Sequence, residues 1–391
     1  MPIKPDFDLL DRNFYAADPW PVYAWLREFE PVYWDEKNEF WWVSRHEDVA
    51  HVSKHPELFS SAKGTRPNVQ DPDRSMINQD DPRHTWVRSF VYKGFTPRRL
   101  GEQEKSIRAI AKRIVDNVAQ RGECEFVEDV AARLPMAMIG GFLGIPEQDF
   151  DQLRHWSDVM TLGSDAEDTS EVTTAFVDYA EYVKKMIEDR RDHPRDDLVS
   201  ILVHAEVGGK RLEENEIISE SLLLLVGGSE TSRNVTASAM EMLSRHPDQK
   251  AYLIDNPGAI RTAVDEFIRW SSPVLNMKRT ATRDVELRGK TIRKDERVMI
   301  MYPSANRDEY VFVDPEDFDV KRDPNPHIAF GIGAHFCVGS NLARLQIRII
   351  FEELLARLPD IHVEPGFEVS YAPSVFVSGF LELPVRFEKR P

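Results

Sequence analysis

The segment AFGIGAHFCVGSNLAR, from Ala329 to Arg344, places a single cysteine, Cys337, among three glycines. Glycine weakens regular secondary structure, so this composition predicts a tight loop, and the apolar spacing from Ser340 onward predicts a helix directly after it. The start of a helix offers free N–H groups and a partial positive charge, which lower the pKa of a thiol. A cysteine in an apolar segment is usually only buried, but burial does not require glycines on both sides. The loop therefore favours a functional cysteine.

A second segment, LLLLVGGSETSRNVTA, combines an apolar helix with two consecutive glycines and an acid–hydroxyl pair. Each glycine inside a helix costs about 1 kcal/mol relative to alanine. Gly227 and Gly228 leave room for a flat or bulky group against the backbone, and they allow the helix to bulge. Glu230 and Thr231 form a pair suited to proton delivery. Taken alone, close helix packing beside a solvated charge explains the segment equally well.

Two sets of charged residues are spaced so that they could act together. Glu266 and Arg269 in AVDEFIRW share one helix face. An isolated pair of this kind is usually worth little, but Arg322 in PEDFDVKR could bind the same carboxylate. The three residues would then pin the proline-rich segment from Asp308 to Pro326 to the helical core.

The second set is cationic. His84 and Arg88 are four residues apart on one predicted helix face, and Arg279 and His335 lie elsewhere in the chain. Each of them alone is best interpreted as an ordinary surface residue. Together they would suit an anionic group, such as the carboxylates of a buried cofactor.

The composition excludes several classes of protein. The chain has 391 residues, of which 41% are hydrophobic, and a formal net charge of −17, whereas nucleic-acid-binding proteins normally have the opposite balance. Its two cysteines imply no disulfide framework and indicate a reducing compartment. The N-terminal segment lacks a signal-peptide pattern, and no apolar run approaches the roughly 20 residues needed to cross a bilayer. We expect a cytoplasmic protein without a membrane anchor.

Helical periodicity dominates the chain. Long helical patterns cover residues 102–120, 147–162, 171–192 and 213–247, while the strand-like pieces are short. One of them, VELRGKTIRKDERVMIMY, alternates around Gly289 and predicts a hairpin. Residues 1–391 are therefore predicted to form a single, mainly α domain with a small β-rich portion.

Taken together, these segments resemble the cytochrome P450 family of soluble bacterial haem-thiolate monooxygenases. FGIGAHFCVG fits the cysteine loop of the family at every fixed position, GGSET fits the oxygen-activation segment, EFIR fits the Glu-x-x-Arg pair, and PEDFDVKR fits the meander arginine. The order and separation of the motifs also fit, so the resemblance covers nearly the whole chain and implies the cytochrome P450 fold. One departure is Ser232, where a second threonine is common, but a hydroxyl is kept.

The resemblance implies a role for each of these residues. Cys337 would be the thiolate ligand of the iron in haem b, and its electron donation favours O–O cleavage. Glu230 and Thr231 would serve proton delivery, and the network of Glu266, Arg269 and Arg322 would be structural. The residues implied to contact the haem are His84, Arg88, Gly227, Arg279, Phe330, His335 and Cys337.

The implied reaction inserts one oxygen atom of O₂ into a C–H bond of a hydrophobic small molecule. No flavin or ferredoxin segment is recognisable in the chain, so a separate ferredoxin and its reductase are expected to supply the electrons to a monomeric enzyme. The basic residues Lys93, Arg98 and Arg99 could bind an acidic redox partner, and a solvated basic surface explains them equally well.

The substrate is less well defined by the sequence. By resemblance, the substrate-contacting segments include the loop from Val69 to Asn78, and their apolar side chains suit a large hydrophobic ligand. Stretches such as RGECEFVEDVAARLPMAMIG look most like actinobacterial steroid hydroxylases that oxidise the terminal methyl group of the cholesterol side chain. The implied substrate-binding residues are Met76, Ile77, Val226, Val274, Leu275, Met277 and Phe376.

Other functions fit parts of the pattern. Terpenoids, fatty acids and polyketides remain alternative substrates, because framework segments do not fix a substrate. A ligand-binding or peroxide-using haem protein is a further alternative, but peroxide-using members commonly lack the acid–hydroxyl pair found at Glu230 and Thr231. A zinc site on Cys337 and His335 is a poor interpretation, because two ligands do not make a zinc site.

Overall fold

Helices make up most of the structure, a computed structural model that describes residues 5–67, 72–162 and 168–390. Positions 69–71 of the predicted substrate loop lie outside the described residues. The helices are α1 (Arg12–Ala16), α2 (Trp20–Phe29), α3 (His46–Lys54), α4 (Arg83–Tyr92), α5 (Pro97–Ala119), α6 (Arg133–Leu143), α7 (Phe150–Leu162), α8 (Ser170–Asp192), α9 (Leu198–His204), α10 (Glu214–Arg245), α11 (Pro247–Asp255), α12 (Ile260–Ser271), α13 (Tyr302–Ala305) and α14 (Ser340–Arg357).

The strands are short and form small sheets. They are β1 (Val32–Asp35), β2 (Phe40–Val43), β3 (Phe59–Ser60), β4 (Glu123–Glu125), β5 (Glu206–Val207), β6 (Lys210–Arg211), β7 (Asn276–Ala281), β8 (Val285–Leu287), β9 (Lys290–Ile292), β10 (Arg297–Met301), β11 (His362–Val363) and β12 (Pro384–Arg386). The long periodic segments are helical and the strands around Gly289 form a hairpin, so the prediction of a mainly α fold is confirmed. Among the described residues, no helix is long and apolar enough to cross a membrane.

The largest sheet has the strand order β1-β2-β10-β7-β3. Strands β2 and β10 are parallel, and the other neighbouring pairs are antiparallel. Side chains alternate between the two faces of the sheet: Val298 and Ile300 pack in one buried cluster, whereas Met299 packs in another with Trp42. Both faces are therefore covered, and the register is fixed by burial.

Helix α10 is the long central helix of the fold. Its first turn carries a capping box. The side chain of Glu213 accepts a hydrogen bond from the backbone N–H of Glu216, and the side chain of Glu216 accepts one from the backbone N–H of Glu213. The helix packs against α6, α7 and α12 and runs without interruption past the two glycines. The bulge that Gly227 and Gly228 could allow is not formed. A Cβ atom on Gly228 would lie 3.1 Å from a side-chain carbon of Ile139 on α6, so this glycine permits close helix packing.

The predicted charged network ties the proline-rich segment to α12. Glu266 and Arg269 are both 0% exposed, and each oxygen of the carboxylate accepts a 2.7 Å hydrogen bond from the guanidinium group. Arg269 also donates to the backbone carbonyls of Asn306 and Pro315, at 3.0 and 2.9 Å. Arg322 Nε lies 3.2 Å from Glu266 Oε2. The contact predicted from spacing is therefore present, and it joins a helix to a segment without regular structure.

We expect Glu266→Ala or Arg269→Ala to lower the free energy of unfolding by about 3–5 kcal/mol, because each change leaves an uncompensated buried charge. Arg98→Ala is the matched control, since it removes an exposed pair with Glu102 worth at most about 1 kcal/mol. Denaturant unfolding and haem content measure the effect. A wild-type unfolding midpoint and full haem content in both buried variants would contradict the structural role.

Candidate active site

A cavity of about 1410 Å³, including its open mouth, lies beside α10 and the loop that precedes α14. Cys337 lines it from the loop, Arg279 lines it from β7, and Thr231 lines it from α10. The cavity therefore brings together residues that are far apart in sequence, with more than 100 positions between Thr231 and Cys337.

The Cys337 loop is held by backbone contacts that need glycine. The N–H of Cys337 donates to the carbonyl of Phe330, seven positions earlier, at 2.9 Å and so closes the loop. Gly333 has φ of +82°, and a Cβ atom there would lie 2.6 Å from the carbonyl oxygen of Ser53. Only glycine fits such a position without movement of the backbone. A Cβ atom on Gly339 would lie 3.9 Å from the sulfur, so the loop also passes close to Cys337.

The thiol of Cys337 is placed where a thiolate needs a strong positive partner. Burial raises its pKa, while the N–H groups of Gly339 and Ser340 and the guanidinium group of Arg88 lower it. The pKa is raised overall, so the lowered value that the helix start predicts is wrong for the protein chain alone. The reason is that desolvation of the charged form outweighs the nearby dipoles. A bound metal ion would reverse this balance, because it deprotonates a coordinating thiol.

The four predicted cationic residues line the same cavity. The rings of His84 and His335 lie 4.2 Å apart between centroids. Burial lowers the pKa of His335 to about 2, and the positive charges of Arg279, His84 and Arg88 add to the effect. His84 Nε2 is buried and has no hydrogen-bond partner among the described residues. An anionic group in the cavity would offset the positive charges of the arginines and would provide a hydrogen-bond partner for Nε2 of His84.

Thr231 and Glu230 are neighbours on α10 but face different surroundings. Thr231 lines the cavity, and its hydroxyl donates to the carbonyl of Gly227 at 2.8 Å. Because that proton is already committed, the oxygen of the hydroxyl can accept a hydrogen bond from a water molecule in the cavity. A Cβ atom on Gly227 would meet nothing within 4 Å, so the helix backbone is open to the cavity at this point.

The carboxyl group of Glu230 is not part of the cavity lining. It is buried, and its Oε2 lies 2.5 Å from Nη2 of Arg233. Burial raises the pKa of Glu230, Arg233 opposes the shift, and Asp158 adds to it. Arg233 also pairs with Asp158 at 2.8 Å, and the Asp158 side chain is 30% exposed. The charged groups around Glu230 therefore extend from the interior of α10 toward solvent.

Four of the seven predicted substrate-binding residues line the cavity: Met76, Ile77, Val274 and Met277. Val226, Leu275 and Phe376 are not among the lining residues. Leu275 packs in a separate core with Tyr15 and Met299, because successive residues of an extended segment point to opposite sides. The guanidinium group of Arg66 lies 4.9 Å from the ring centroid of Phe376. Val226 is buried within α10, turned about 100° from Gly227.

The other predicted haem contact, Phe330, lines the cavity, and the guanidinium group of Arg344 lies 4.6 Å from its ring centroid. Sequence reasoning missed Met138 and Ile139, which line the cavity from α6. Their segment is apolar on all sides, so no pattern distinguishes a cavity-lining position from a core position. Leu223 could be found from the sequence, since it precedes Gly227 by one helical turn.

Comparisons with known proteins agree with this geometry. The family model described as Cytochrome P450 matches residues 259–364. A steroid C26-monooxygenase of Mycobacterium tuberculosis is 42% identical over 100% of this chain and 99% of its own length. The chain belongs to the cytochrome P450 family. It is thus a monooxygenase of the haem-thiolate type, and the cytochrome P450 fold predicted from the sequence is confirmed.

Two further relatives extend the comparison of this cytochrome P450. A methyl-branched lipid omega-hydroxylase of Mycobacterium bovis is 38% identical over 97% of this chain and 94% of its own length. The structure of a Mycobacterium marinum cytochrome P450 in complex with pseudoionone superposes with a TM-score of 0.90, at 35% identity over 99% of this chain and 100% of that chain.

The residues of this cytochrome P450 fit its haem. Deprotonation of the buried Cys337 thiol would need a cation, Nε2 of His84 has no hydrogen-bond partner among the described residues, and the backbone at Gly227 is open. These features suit an iron ion, anionic propionates and a flat ring, respectively. When it is bound, haem supplies the redox chemistry that activates O₂.

We expect Cys337→Ser to abolish the red-shifted Soret band of the reduced carbonyl complex, because that band requires a thiolate ligand. Cys124→Ser is the matched control. Cys124 lies on β4, and burial raises the pKa of its thiol to about 12, so its loss should leave the spectrum unchanged. Survival of the thiolate-type band in Cys337→Ser would show that another residue ligates the iron.

We expect Thr231→Ala to keep haem and substrate binding but to produce more hydrogen peroxide and less hydroxylated product per NADH consumed. The reason is that the variant loses the hydroxyl that can hold a water molecule beside Gly227. Thr231→Ser, which keeps the hydroxyl, is the matched control and should remain coupled. The measurement is the ratio of product to NADH, with peroxide assayed in the same reaction. Equal coupling in Thr231→Ala and the parent enzyme would assign proton delivery to another group.

Proposed function

We propose that this cytochrome P450 hydroxylates the terminal methyl group of a steroid side chain. The observation that carries the proposal is the chemical division of the cavity. Its basic lining residues, within the part of the chain that the structure describes, are His84, Arg88, Arg279 and His335, the residues assigned to the haem propionates. The remainder of the lining is largely apolar, and so it suits a large ligand without a charged group.

The substrate part of the cavity is formed by side chains of different stiffness. Val274 is β-branched and restricted in rotation, whereas Met76 and Met277 are unbranched and adapt to irregular shapes. A rigid apolar body with a flexible aliphatic tail fits such a lining. Support for the steroid and for the terminal position comes from the relatives named steroid C26-monooxygenase, which match over the full length of this chain.

In this proposal the protein residues bind, orient and protonate. Cys337 would hold the iron, and His84, Arg88, Arg279 and His335 would bind the propionates. The open backbone at Gly227 leaves room beside it for substrate and O₂. Thr231 accepts a hydrogen bond from a water molecule there and so holds a proton donor in the cavity. Glu230, with Arg233 and Asp158, resupplies protons from the solvent side of α10. The apolar lining keeps other water away from the reacting C–H bond.

A second candidate is the hydroxylation of the end of a methyl-branched lipid. The relative of that name is 38% identical over 97% of this chain, and the same apolar lining would accommodate a branched chain. The two candidates share the chemistry at a branched terminus and differ in the body of the substrate, so they can be separated by ligand shape.

We further propose that a separate ferredoxin and its reductase supply the electrons. A cysteine-ligated iron–sulfur cluster requires four cysteines, and this sequence contains two, one of which is assigned to the haem. Of the predicted basic docking residues, Arg98 and Arg99 pair with Glu102 and Asp196, at 3.1 and 2.7 Å. These pairs reduce the local positive charge, so Lys93 is the better candidate for contact with an acidic partner. Neither cysteine is part of a disulfide, which supports a cytoplasmic location. We also propose a monomer, which size-exclusion chromatography with light scattering tests.

The proposal is tested with cholest-4-en-3-one, testosterone and a methyl-branched fatty acid as ligands. Testosterone is the control, because it has the steroid nucleus without the side chain. We expect cholest-4-en-3-one to shift the Soret band at concentrations at least tenfold below those of the other two, a difference of about 1.4 kcal/mol. With ferredoxin, reductase and NADH, mass spectrometry should locate the new hydroxyl at the end of the side chain. Tighter binding of the fatty acid favours the lipid candidate, and hydroxylation of the steroid nucleus contradicts the proposal.

A further inference from the structure

Glu220 lies on the same side of α10 as residues that line the cavity. Leu223, Leu224 and Gly227 are lining residues, and they follow Glu220 with the i+3, i+4 and i+7 spacing of one helix face. The Glu220 side chain is 0% exposed. A carboxyl group is thus buried one helical turn beyond the edge of the cavity wall.

The carboxyl group of Glu220 binds the segment that forms the adjoining wall. The backbone N–H of Met76 donates to Glu220 Oε1 at 2.5 Å. Met76 begins a short 3₁₀ turn, Met76–Asn78, and both Met76 and Ile77 line the cavity. One hydrogen bond therefore connects two walls of the proposed substrate site, one helical and one formed by a loop.

The other end of this turn is fixed to the sheet. Asn78 Oδ1 accepts hydrogen bonds from the backbone N–H and the hydroxyl of Thr65, at 3.1 and 2.9 Å. The carbonyl of Thr65 accepts in turn from the backbone N–H of Lys278 on β7, at 2.7 Å. The Met76–Asn78 turn is thus held between β7 and α10, with Glu220 as its contact on the α10 side.

The surroundings keep the Glu220 carboxyl uncharged near neutral pH. Burial raises its pKa to about 8; the hydrogen bond from Met76 opposes the shift, the charges of Asp73 and Glu216 add to it, and Arg83 opposes it. Glu216 is itself paired with Arg83. An uncharged carboxyl still accepts the Met76 N–H, and a glutamine side chain reproduces its shape and its acceptor.

We propose that Glu220 is a positioning residue that fixes the Met76–Asn78 turn against α10 and so determines how tightly the cavity holds a bulky ligand. The inference deepens the proposed function, because the site that it shapes is the proposed substrate site. Loss of the acceptor would leave the Met76 N–H buried without a partner, and the turn would have to move to satisfy it. The geometry around Cys337 does not depend on this contact.

The test compares Glu220→Met, which keeps the volume but removes the acceptor, with Glu220→Gln, which keeps both. Two iron-coordinating probes, clotrimazole and imidazole, are titrated into each haem-loaded enzyme and followed by the Soret band. We expect clotrimazole to bind Glu220→Met about tenfold more weakly than the parent and imidazole to bind it equally, because imidazole is too small to reach the turn. Glu220→Gln should bind both probes like the parent enzyme. Hydrogen exchange should become faster at the Met76 amide in Glu220→Met alone.

Glu241→Met provides a matched control on the same helix. Glu241 is buried and pairs with Arg245 at 2.7 Å, but it is not a lining residue, so this change should leave clotrimazole affinity unaltered. Unchanged clotrimazole binding in Glu220→Met, or an equal loss of affinity for both probes, would overturn the inference. If Glu220→Met does not fold, the question is decided by clotrimazole binding to Glu220→Ala and by the protection of the Met76 amide from hydrogen exchange in the parent enzyme. Because neither probe is a substrate, failure of the steroid to bind would reject the proposed function and leave this test intact.

Discussion

The burial of one ionisable sulfur is the constraint on which the rest of the site depends. An isolated thiolate in an apolar cavity is unfavourable, and the N–H groups of Gly339 and Ser340 offset only part of the cost of desolvating it. A cation bound to the sulfur would complete the compensation, and the anionic groups that accompany that cation would offset the positive charges of Arg88 and Arg279 beside His84 and His335. The cysteine and the cationic cluster are thus two halves of one electrostatic arrangement that the haem completes.

The surrounding fold serves this arrangement by limiting movement. The Glu266–Arg269 pair lies outside the cavity lining, yet it fixes the irregular segment that leads to the Cys337 loop. An irregular segment has few internal hydrogen bonds of its own, so a buried guanidinium group that donates to several of its carbonyls substitutes for regular structure. The close approach of Gly333 to Ser53 holds the loop from its other side.

Much of this site could be predicted from the sequence, because its chemistry resides in short motifs. The Cys337 loop, the Glu266–Arg269–Arg322 contact and the helix across Gly227 follow from residue types and spacing. The positions that could not be predicted are those set by tertiary packing. No local pattern places Met138 against the cavity, and the segment of Leu275 is too short to show by alternation that this side chain packs in a separate core. The raised pKa of Cys337 could not be predicted, because a sequence indicates nearby dipoles but does not show the depth of burial.

The segment that carries Val274 and Leu275 gives the enzyme a way to change its substrate range. Val274 contacts the cavity, and its neighbour contacts a core that is separate from it. A substitution at the first position alters the space available to a ligand while the hydrophobic core behind the second remains intact. Substrate selectivity and the stability of the fold thus depend on two consecutive residues of one backbone segment. Single mutations at Val274, which is only partly buried at the edge of another cluster, can therefore explore new substrates at a smaller cost in stability than mutations at Leu275.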